Sequence, residues 1–105
     1  MPKNPEHISE SALDQYLKSL IEKKGGLYLK FEPIHLRGIP DRFIFLPPGI
    51  LIIAELKATG KKPSLHQKAV HRMFKKIGFD VWIPDTKKKA DEIIEHYENL
   101  LKKIN

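Results

Sequence analysis

The chain has 105 residues, of which 41% are hydrophobic and 30% charged, and its formal net charge is +6. This length fits a single domain over residues 1–105, and the composition is typical of a globular protein rather than a disordered one. The lack of cysteine excludes disulfides, thiolate nucleophiles and cysteine-based zinc sites. Because no apolar run could span a bilayer and no signal region precedes residue 6, we expect a cytoplasmic protein without a membrane partner.

Basic residues recur along the chain in pairs and in one triplet, at positions 23–24, 61–62, 75–76, 87–89 and 102–103. A basic surface attracts polyanions, so this pattern favours nucleic acid or an anionic membrane surface as partner. The alternative is that the lysines only keep helix surfaces hydrated. Charge alone does not separate the two interpretations.

The first third of the chain predicts a helix, a strand and a loop. Serines are good N-caps and a glycine pair ends helices, so a helix is expected from Ser9 or Ser11 to Lys24. Residues 27–32 alternate between apolar and polar and predict a strand. The loop that follows runs from Pro33 to Pro40.

Two β-rich runs come next, Asp41 to Leu46 and Ile50 to Lys57, and the turn Pro47-Pro48-Gly49 between them predicts a hairpin. Both runs are apolar on both faces, which is typical of strands in the middle of a sheet with a layer on each side. Ser64 and Gln67 then form a capping box at the start of a second helix. A short strand over residues 79–84 and a last helix from Asp85 or Thr86 complete the order α-β-β-β-α-β-α. We therefore expect a three-layer α/β domain around a mixed sheet of about four strands.

The hairpin is the feature that predicts chemistry. In the simplest register Leu46 lies opposite Ile50, and counting outward places Asp41 opposite Glu55, with Lys57 on the face of Glu55. Opposed carboxylates repel, and Mg²⁺ is a natural compensator because it prefers one or two carboxylates with waters and phosphate oxygens. Lys57 would then orient or deprotonate a water, or neutralise a phosphate.

Two alternatives remain open at this point. A one-residue shift in the hairpin register would move the carboxylates to different faces and weaken the metal interpretation. Alternatively, Asp41 ends a turn while Glu55 and Lys57 decorate an exposed strand end. Against the second alternative, charge beside fully apolar strands is costly without a partner.

Other polar residues are weaker candidates. Glu10 shares the inward side of helix one and could join the site, or it could simply complement the helix dipole. Gln67 could point back at the site besides capping its helix, and Lys30 could contact a phosphate or only solvent. The five histidines lack zinc-like spacing, so we expect surface or polar contacts for them. No glycine-rich phosphate loop is present, so no nucleotide cofactor is expected.

A family resemblance adds to this interpretation, and it covers nearly the whole chain. Three segments carry it: Gly38-Ile39-Pro40-Asp41-Arg42, Ala54-Glu55-Leu56-Lys57 and Ser64-x-x-Gln67. They resemble the PD-(D/E)XK nuclease superfamily and, within it, the virus-type replication and repair nuclease (VRR-NUC) domain. The P-D…E-x-K pattern alone is weak. The three segments in this order and spacing are much more specific.

The resemblance implies a Mg²⁺- or Mn²⁺-dependent deoxyribonuclease. It implies metal ligation by Asp41, Glu55 and the backbone carbonyl of Leu56, often completed by Glu10, with Lys57 as catalytic residue and Gln67 as accessory. Single-domain relatives are thought to act on branched DNA such as four-way junctions, usually as homodimers. For contacts with branched or duplex DNA we nominate the basic residues Lys30, Arg37, Arg42, Lys61 and Lys62.

Two other functions were weighed against this one. A non-catalytic nucleic-acid-binding module on a nuclease fold would lack some of the site residues, and all are present here. A structural homodimer or phage accessory protein would bind DNA weakly and with little salt dependence. We therefore predict an endonuclease acting in replication, recombination or repair in a bacterial or phage-infected cell.

Overall fold

The structure is a computed structural model, and it describes residues 6–32 and 36–104. The helices and strands follow the predicted order, with these bounds: α1 Glu10–Lys23, β1 Leu27–Lys30, β2 Arg42–Leu46, β3 Ile50–Ala54, α2 Leu65–Lys76, β4 Val81–Trp82 and α3 Lys87–Ile104. The predicted caps are confirmed for α1 and α2: the side chain of Ser9 accepts from the Ala12 N–H, and Ser64 begins a complete capping box. Among these described helices, none is long and apolar enough to cross a membrane.

The four strands form one mixed sheet in the order β1-β2-β3-β4. Strands β1, β2 and β3 are antiparallel neighbours, while β4 runs parallel to β3. The predicted fold class is therefore confirmed. The strands are shorter than predicted, but single backbone hydrogen bonds continue the pairing past their ends. Phe31 N–H donates to the Asp41 carbonyl, and Glu55 N–H donates to that of Trp82.

One face of the sheet, called here the packed face, is covered by α1 and α3. The apolar stripe of α1 and that of α3 are buried against strand residues of the same face. This core contains Leu13, Leu17, Ile21, Tyr28, Ile44, Leu46, Ile52, Ala54, Ala90, Ile93 and Tyr97. Hydrophobic burial on this side therefore supplies most of the apolar area that the fold removes from water.

The other face is covered only in part, by α2. Val70 of α2 is buried, and Ile53 of β3 is 2% exposed. Toward β1 the same face carries large apolar side chains that remain exposed, namely Leu27, Leu29, Phe31 and Phe45. We call these four residues the open face. The expectation of a layer on each side of the apolar strands is thus right for only part of the sheet.

Candidate active site

The register of the hairpin decides which polar residues meet. Leu46 pairs with Ile50 and Arg42 pairs with Ala54, as predicted from the turn. One step further along both strands lie Asp41 and Glu55, so the predicted register is confirmed and the two acidic residues share a face. Their charges interact, because Asp41 acts to raise the pKa of Glu55. The one-residue shift considered above does not occur.

Glu55 is a buried carboxylate whose side chain is 3% exposed. Its Oε2 lies 3.4 Å from Lys57 Nζ, and its Oε1 lies 3.6 Å from His71 Nε2. Burial raises the pKa of Glu55, and the charge of Asp41 adds to the rise, while Lys57 and His71 act in the opposite direction. The proposal that Glu55 decorates an exposed strand end is therefore wrong. Its ionised form is held at a cost, which is typical of functional carboxylates.

Lys57 is oriented by the start of α2. Its Nζ donates to Gln67 Oε1 at 3.1 Å, and the same oxygen accepts from the Ser64 N–H at 2.8 Å. The Gln67 amide thus serves both the capping box and the lysine, which confirms both of its predicted positions. Backbone pairing also fixes Lys57, since its N–H donates to the Pro84 carbonyl at 3.2 Å.

Asp41 is held from the packed face by Arg42. Arg42 is 1% exposed, and its Nη1 lies 2.7 Å from Asp41 Oδ2, an ion pair without hydrogen-bond angles. Its Nε donates to Asp14 Oδ1 at 2.9 Å, and the Tyr28 hydroxyl donates to the same oxygen at 2.7 Å. The prediction that Arg42 contacts DNA is therefore wrong, because its guanidinium is buried between two carboxylates.

The environment of Asp14 also perturbs its titration. Partial burial acts to raise the pKa of Asp14, but hydrogen bonds from Tyr28 and Arg42 and the charges of Arg42 and Lys30 outweigh it. The pKa of Asp14 therefore lies below its ordinary value, and Asp14 is ionised at neutral pH. Arg42 shares its positive charge between this carboxylate and Asp41.

The loop before Asp41 lies against α2 through a glycine. Gly38 has φ +77°, in the left-handed region that favours glycine, and a Cβ there would lie 2.7 Å from His66 Cδ2. His66 Nε2 also lies 3.0 Å from the Arg37 carbonyl oxygen. These contacts fix the loop on the helix that carries Gln67 and His71, and they explain the glycine of the Gly38-Ile39-Pro40 segment.

Glu10 does not join the site. It is the exposed first residue of α1, and within residues 6–32 and 36–104 no three acidic or histidine side chains are grouped closely enough to hold a metal ion. The structure therefore corrects the prediction for Glu10. Helix geometry gives the reason: Asp14, one turn further on, is the acidic residue of α1 that reaches the site, and it does so through Arg42.

The other predicted site residues are Leu56, as a metal ligand, and four basic residues, as DNA contacts. Leu56 is 1% exposed and its side chain lies in the core, so the ligand role of its carbonyl stays a prediction. The four other basic candidates are exposed at the surface, with Lys30 3.2 Å from Glu32, and their DNA contacts also stay predictions: Lys30, Arg37, Lys61 and Lys62.

Sequence reasoning missed two residues of this cluster. His71 was expected to make only surface or polar contacts and was not placed at the site, yet it lies four residues after Gln67 on the same side of α2 and approaches Glu55. The helical spacing from Gln67 was the signal that could have found it. Asp14 carried no such signal, because its partner Arg42 is remote in sequence.

Two carboxylate oxygens of the site fit a cation. Asp41 Oδ1 and Glu55 Oε2 are buried and lack hydrogen-bond partners among the described residues. A buried polar atom without a partner is costly, and hard divalent cations take carboxylate oxygens of this kind. The arrangement of two opposed acids and an oriented lysine on a mixed α/β sheet defines a nuclease-type domain.

Comparisons with known proteins agree with that class. The chain is 37% identical over 79 residues to "Putative nuclease p44" of Acyrthosiphon pisum secondary endosymbiont phage 1, covering 75% of this chain and 85% of the relative. A solved structure described as a VRR_NUC domain matches with a TM-score of 0.77 at 35% identity, over 84% of this chain and 96% of that one. No family model matches the sequence. The chain belongs to the VRR-NUC nuclease family.

Proposed function

We propose that the protein is a Mg²⁺- or Mn²⁺-dependent DNA endonuclease that cuts branched or duplex DNA. The observation that carries this proposal is the pair of buried oxygens, Asp41 Oδ1 and Glu55 Oε2, that lack hydrogen-bond partners among the described residues and lie beside the oriented ammonium of Lys57. Lys57 and Arg42 each pair with one of the two acids, and a divalent cation between Asp41 and Glu55 would compensate the repulsion between them directly.

In this proposal Asp41, Glu55 and the carbonyl of Leu56 hold the cation. When bound, it supplies a Lewis acid that favours ionisation of water and neutralises charge on the scissile phosphate. Lys57, held by Gln67, donates a hydrogen bond to the attacking water or to a phosphate oxygen. His71 faces Glu55 from α2, with its Nε2 3.6 Å from Oε1 of that carboxylate.

Cleavage assays test the catalytic part. We expect Lys57→Ala and Glu55→Gln to lower the cleavage rate about 10²–10⁴-fold, because each removes a group that acts on the reacting atoms. The exposed ion pair of Lys24 and Glu98, 2.8 Å apart, offers matched controls in Lys24→Ala and Glu98→Gln. Wild-type cutting by the folded Lys57 and Glu55 variants would refute the proposal. Intact DNA binding without any metal-dependent cutting by the wild type would instead favour the non-catalytic module.

Helix α2 is the surface that we propose for DNA. It carries no acidic residue, and it presents positive side chains beside the site: Lys68, Arg72, Lys75 and Lys76. Lys75 is paired with Asp80. Lys61 and Lys62 extend this charge along the loop that joins Lys57 to the helix. A polyanion following α2 would pass over the site residues, which is the arrangement that a nuclease requires.

Salt dependence tests this surface. Replacing Lys61 and Lys62 together by alanine should weaken DNA binding about equally for all sequences and lower the slope of log Kd against log salt by about one to two. The matched control changes the remote pair Lys102 and Lys103 in α3. Equal slopes for both double variants would remove the loop from the interface.

We further propose that the protein acts as a two-fold dimer that covers the open face. The exposed fractions of Leu27, Leu29, Phe31 and Phe45 are 63%, 48%, 56% and 43%. Leu27 lies directly opposite Phe45 on the neighbouring strand, so the side chains form one continuous patch. Together they expose roughly 400 Å², and a stable interface needs about 800 Å² on each partner. The adjoining edge of β1 supplies further surface, and a self-complementary apolar patch fits a second copy.

Light scattering tests the dimer. The wild type should have twice the 12.2 kDa mass of the chain, and Leu29→Lys should shift the protein to the monomer because it places a charge in the patch. Met73→Lys, at an exposed apolar position on α2 outside the open face, is the control. A wild-type monomer at high concentration would refute this assembly. If the dimer holds, two sites related by a two-fold axis suit paired cuts on a branched substrate in the cytoplasm of a bacterial or phage-infected cell.

A further inference from the structure

Arg42 stands between two carboxylates that belong to different parts of the protein. Asp41 is at the start of β2 in the candidate site, whereas Asp14 lies on α1 on the packed face. The Arg42 side chain is 1% exposed, while those of Asp14 and Asp41 are each 30% exposed. Because a guanidinium is planar and presents several donors in fixed directions, it contacts both acids at once through Nε and Nη1.

This contact makes the two oxygens of Asp41 unequal. Oδ2 lies 2.7 Å from Arg42 Nη1, whereas Oδ1 is buried and has no hydrogen-bond partner among the described residues. The carboxylate cannot rotate without separating Oδ2 from the buried charge. Oδ1 is therefore the atom left for a ligand, which favours coordination by one oxygen over coordination by both.

Asp14 offsets part of the positive charge that Arg42 places beside Asp41. An arginine paired with Asp41 alone would neutralise it and repel a cation, since like charges a few ångströms apart interact strongly away from bulk water. Asp14 shares that positive charge from the far side, and the Tyr28 hydroxyl at 2.7 Å fixes its orientation. With both acids ionised, the group of Asp14, Arg42 and Asp41 carries one net negative charge, so Arg42 does not neutralise Asp41 alone.

We propose that Asp14 and Arg42 are positioning residues that hold Asp41 with Oδ1 presented to the divalent cation and with its negative charge preserved. This inference rests on the proposed function, because it concerns the cation that Asp41 and Glu55 would hold. It assigns a role in metal affinity to two residues on the packed side of the sheet. Residues that orient metal ligands in this way commonly change affinity 10–100-fold when altered.

Calorimetric titration with Mn²⁺ alone, without DNA, tests the proposal. We expect Asp14→Asn to weaken Mn²⁺ binding about tenfold, because the amide keeps the shape and loses the charge. Asp14→Glu restores the charge and should recover most of that affinity. Arg42→Lys should also weaken binding about tenfold, because an ammonium keeps the charge but loses the two fixed contacts.

A matched control is provided by a hydrogen bond between α1 and α3. The Tyr16 hydroxyl donates to Asp91 Oδ1 at 2.6 Å, a tyrosine–aspartate bond like that of Tyr28 and Asp14 but exposed and unconnected to Asp41. Asp91→Asn should leave Mn²⁺ affinity unchanged. Circular dichroism melts identify a temperature at which every variant is folded, so that Mn²⁺ binding is compared between folded proteins. If Arg42→Lys does not fold, the substitutions of Asp14 still test the proposal, because the Asp14 side chain is partly exposed.

The outcomes separate this inference from the proposed function. Wild-type Mn²⁺ binding by Asp41→Asn and Glu55→Gln would refute the metal site itself. Loss of binding in those two variants, with wild-type affinity in both Asp14→Asn and Arg42→Lys, would overturn the positioning role alone. Equal loss in Asp14→Asn and Asp91→Asn would also overturn it, because the effect would then follow from stability rather than from Asp41.

Discussion

The packed and open sides of the sheet are built from similar sequence but used differently. On the packed side, β2 contributes Ile44 and Leu46, which are 0% and 3% exposed under α1 and α3. On the other side, Phe45 between them is 43% exposed, and buried charge takes the place of apolar packing near Glu55. A strand with apolar residues on both faces therefore does not imply two equally covered faces.

This difference shows how a small domain divides its residues between one well-packed core and a functional site. A chain of this size can bury one core well, and here α1 and α3 complete it. The partly covered side then holds the candidate site, where Glu55 is buried although burial of a charged group is unfavourable. Arg42 joins the two sides, because it is buried with the packed side and its guanidinium lies 2.7 Å from Asp41 on the other.

The largest expected effect on stability is a core truncation that sharpens this comparison. Leu17→Ala should lower the free energy of unfolding by about 3 kcal/mol, because Leu17 is 0% exposed and leaves a cavity. Met73→Ala, at a position 66% exposed on α2, should change it by less than about 0.5 kcal/mol. Urea denaturation measures both. Comparable losses would mean that α2 carries more of the core than its exposure indicates.

A smaller effect of opposite sign is expected at the site. Glu55→Gln should raise the free energy of unfolding in EDTA by about 1 kcal/mol at pH 7. Its raised pKa means that ionised Glu55 disfavours the folded state. The stability that protonated Glu55 contributes is present below the unfolded-state pKa and is lost as pH rises through the folded-state pKa. Thermal melts of wild type and variant provide the measurement. The exposed Glu98→Gln should give no gain, and destabilisation by Glu55→Gln would contradict the assignment of charge strain to the site.

The smallest effect concerns pH and Asp14, the partner of Arg42 on α1. The pKa of Asp14 is lowered in the folded state, so its contribution is present above the unfolded value of about 3.9 and is lost as pH falls through the folded pKa. Asp14→Asn should be less stable at neutral pH by about 0.5 kcal/mol, and the gap should narrow below pH 4. Urea midpoints from pH 7 to pH 2.5 would show it. A constant gap would exclude ionisation of Asp14 as its cause.

Local sequence signals sufficed for the hairpin and its register. The turn at Pro47, the alternation within both strands and the serine caps are short-range features, and they led to the opposition of Asp41 and Glu55 that the pairing of Arg42 with Ala54 supports. The capping box also placed Gln67 near Lys57. These predictions succeeded because each depends on residues a few positions apart.

The residues that sequence reasoning misassigned depend on packing between remote elements. Arg42 looked like a surface cation, although its alternation with Ile44 places it on the packed face, where it donates to Asp14 of α1. Glu10 was nominated for its place on the inward side of α1, whereas Asp14 was not considered, because its partner Arg42 is remote in sequence. How far α2 would cover the sheet depended on its docking angle, which periodicity does not encode.

The dual bond of Gln67 has a consequence for how the protein loses activity on heating. Its side-chain oxygen accepts from both the Ser64 N–H and Lys57 Nζ, so fraying of the first turn of α2 would release the lysine without unfolding the core. Helix ends open at far lower free energy than buried strands. Enzymatic activity should therefore fade below the melting temperature of the domain, in step with amide exchange at residues 64–68.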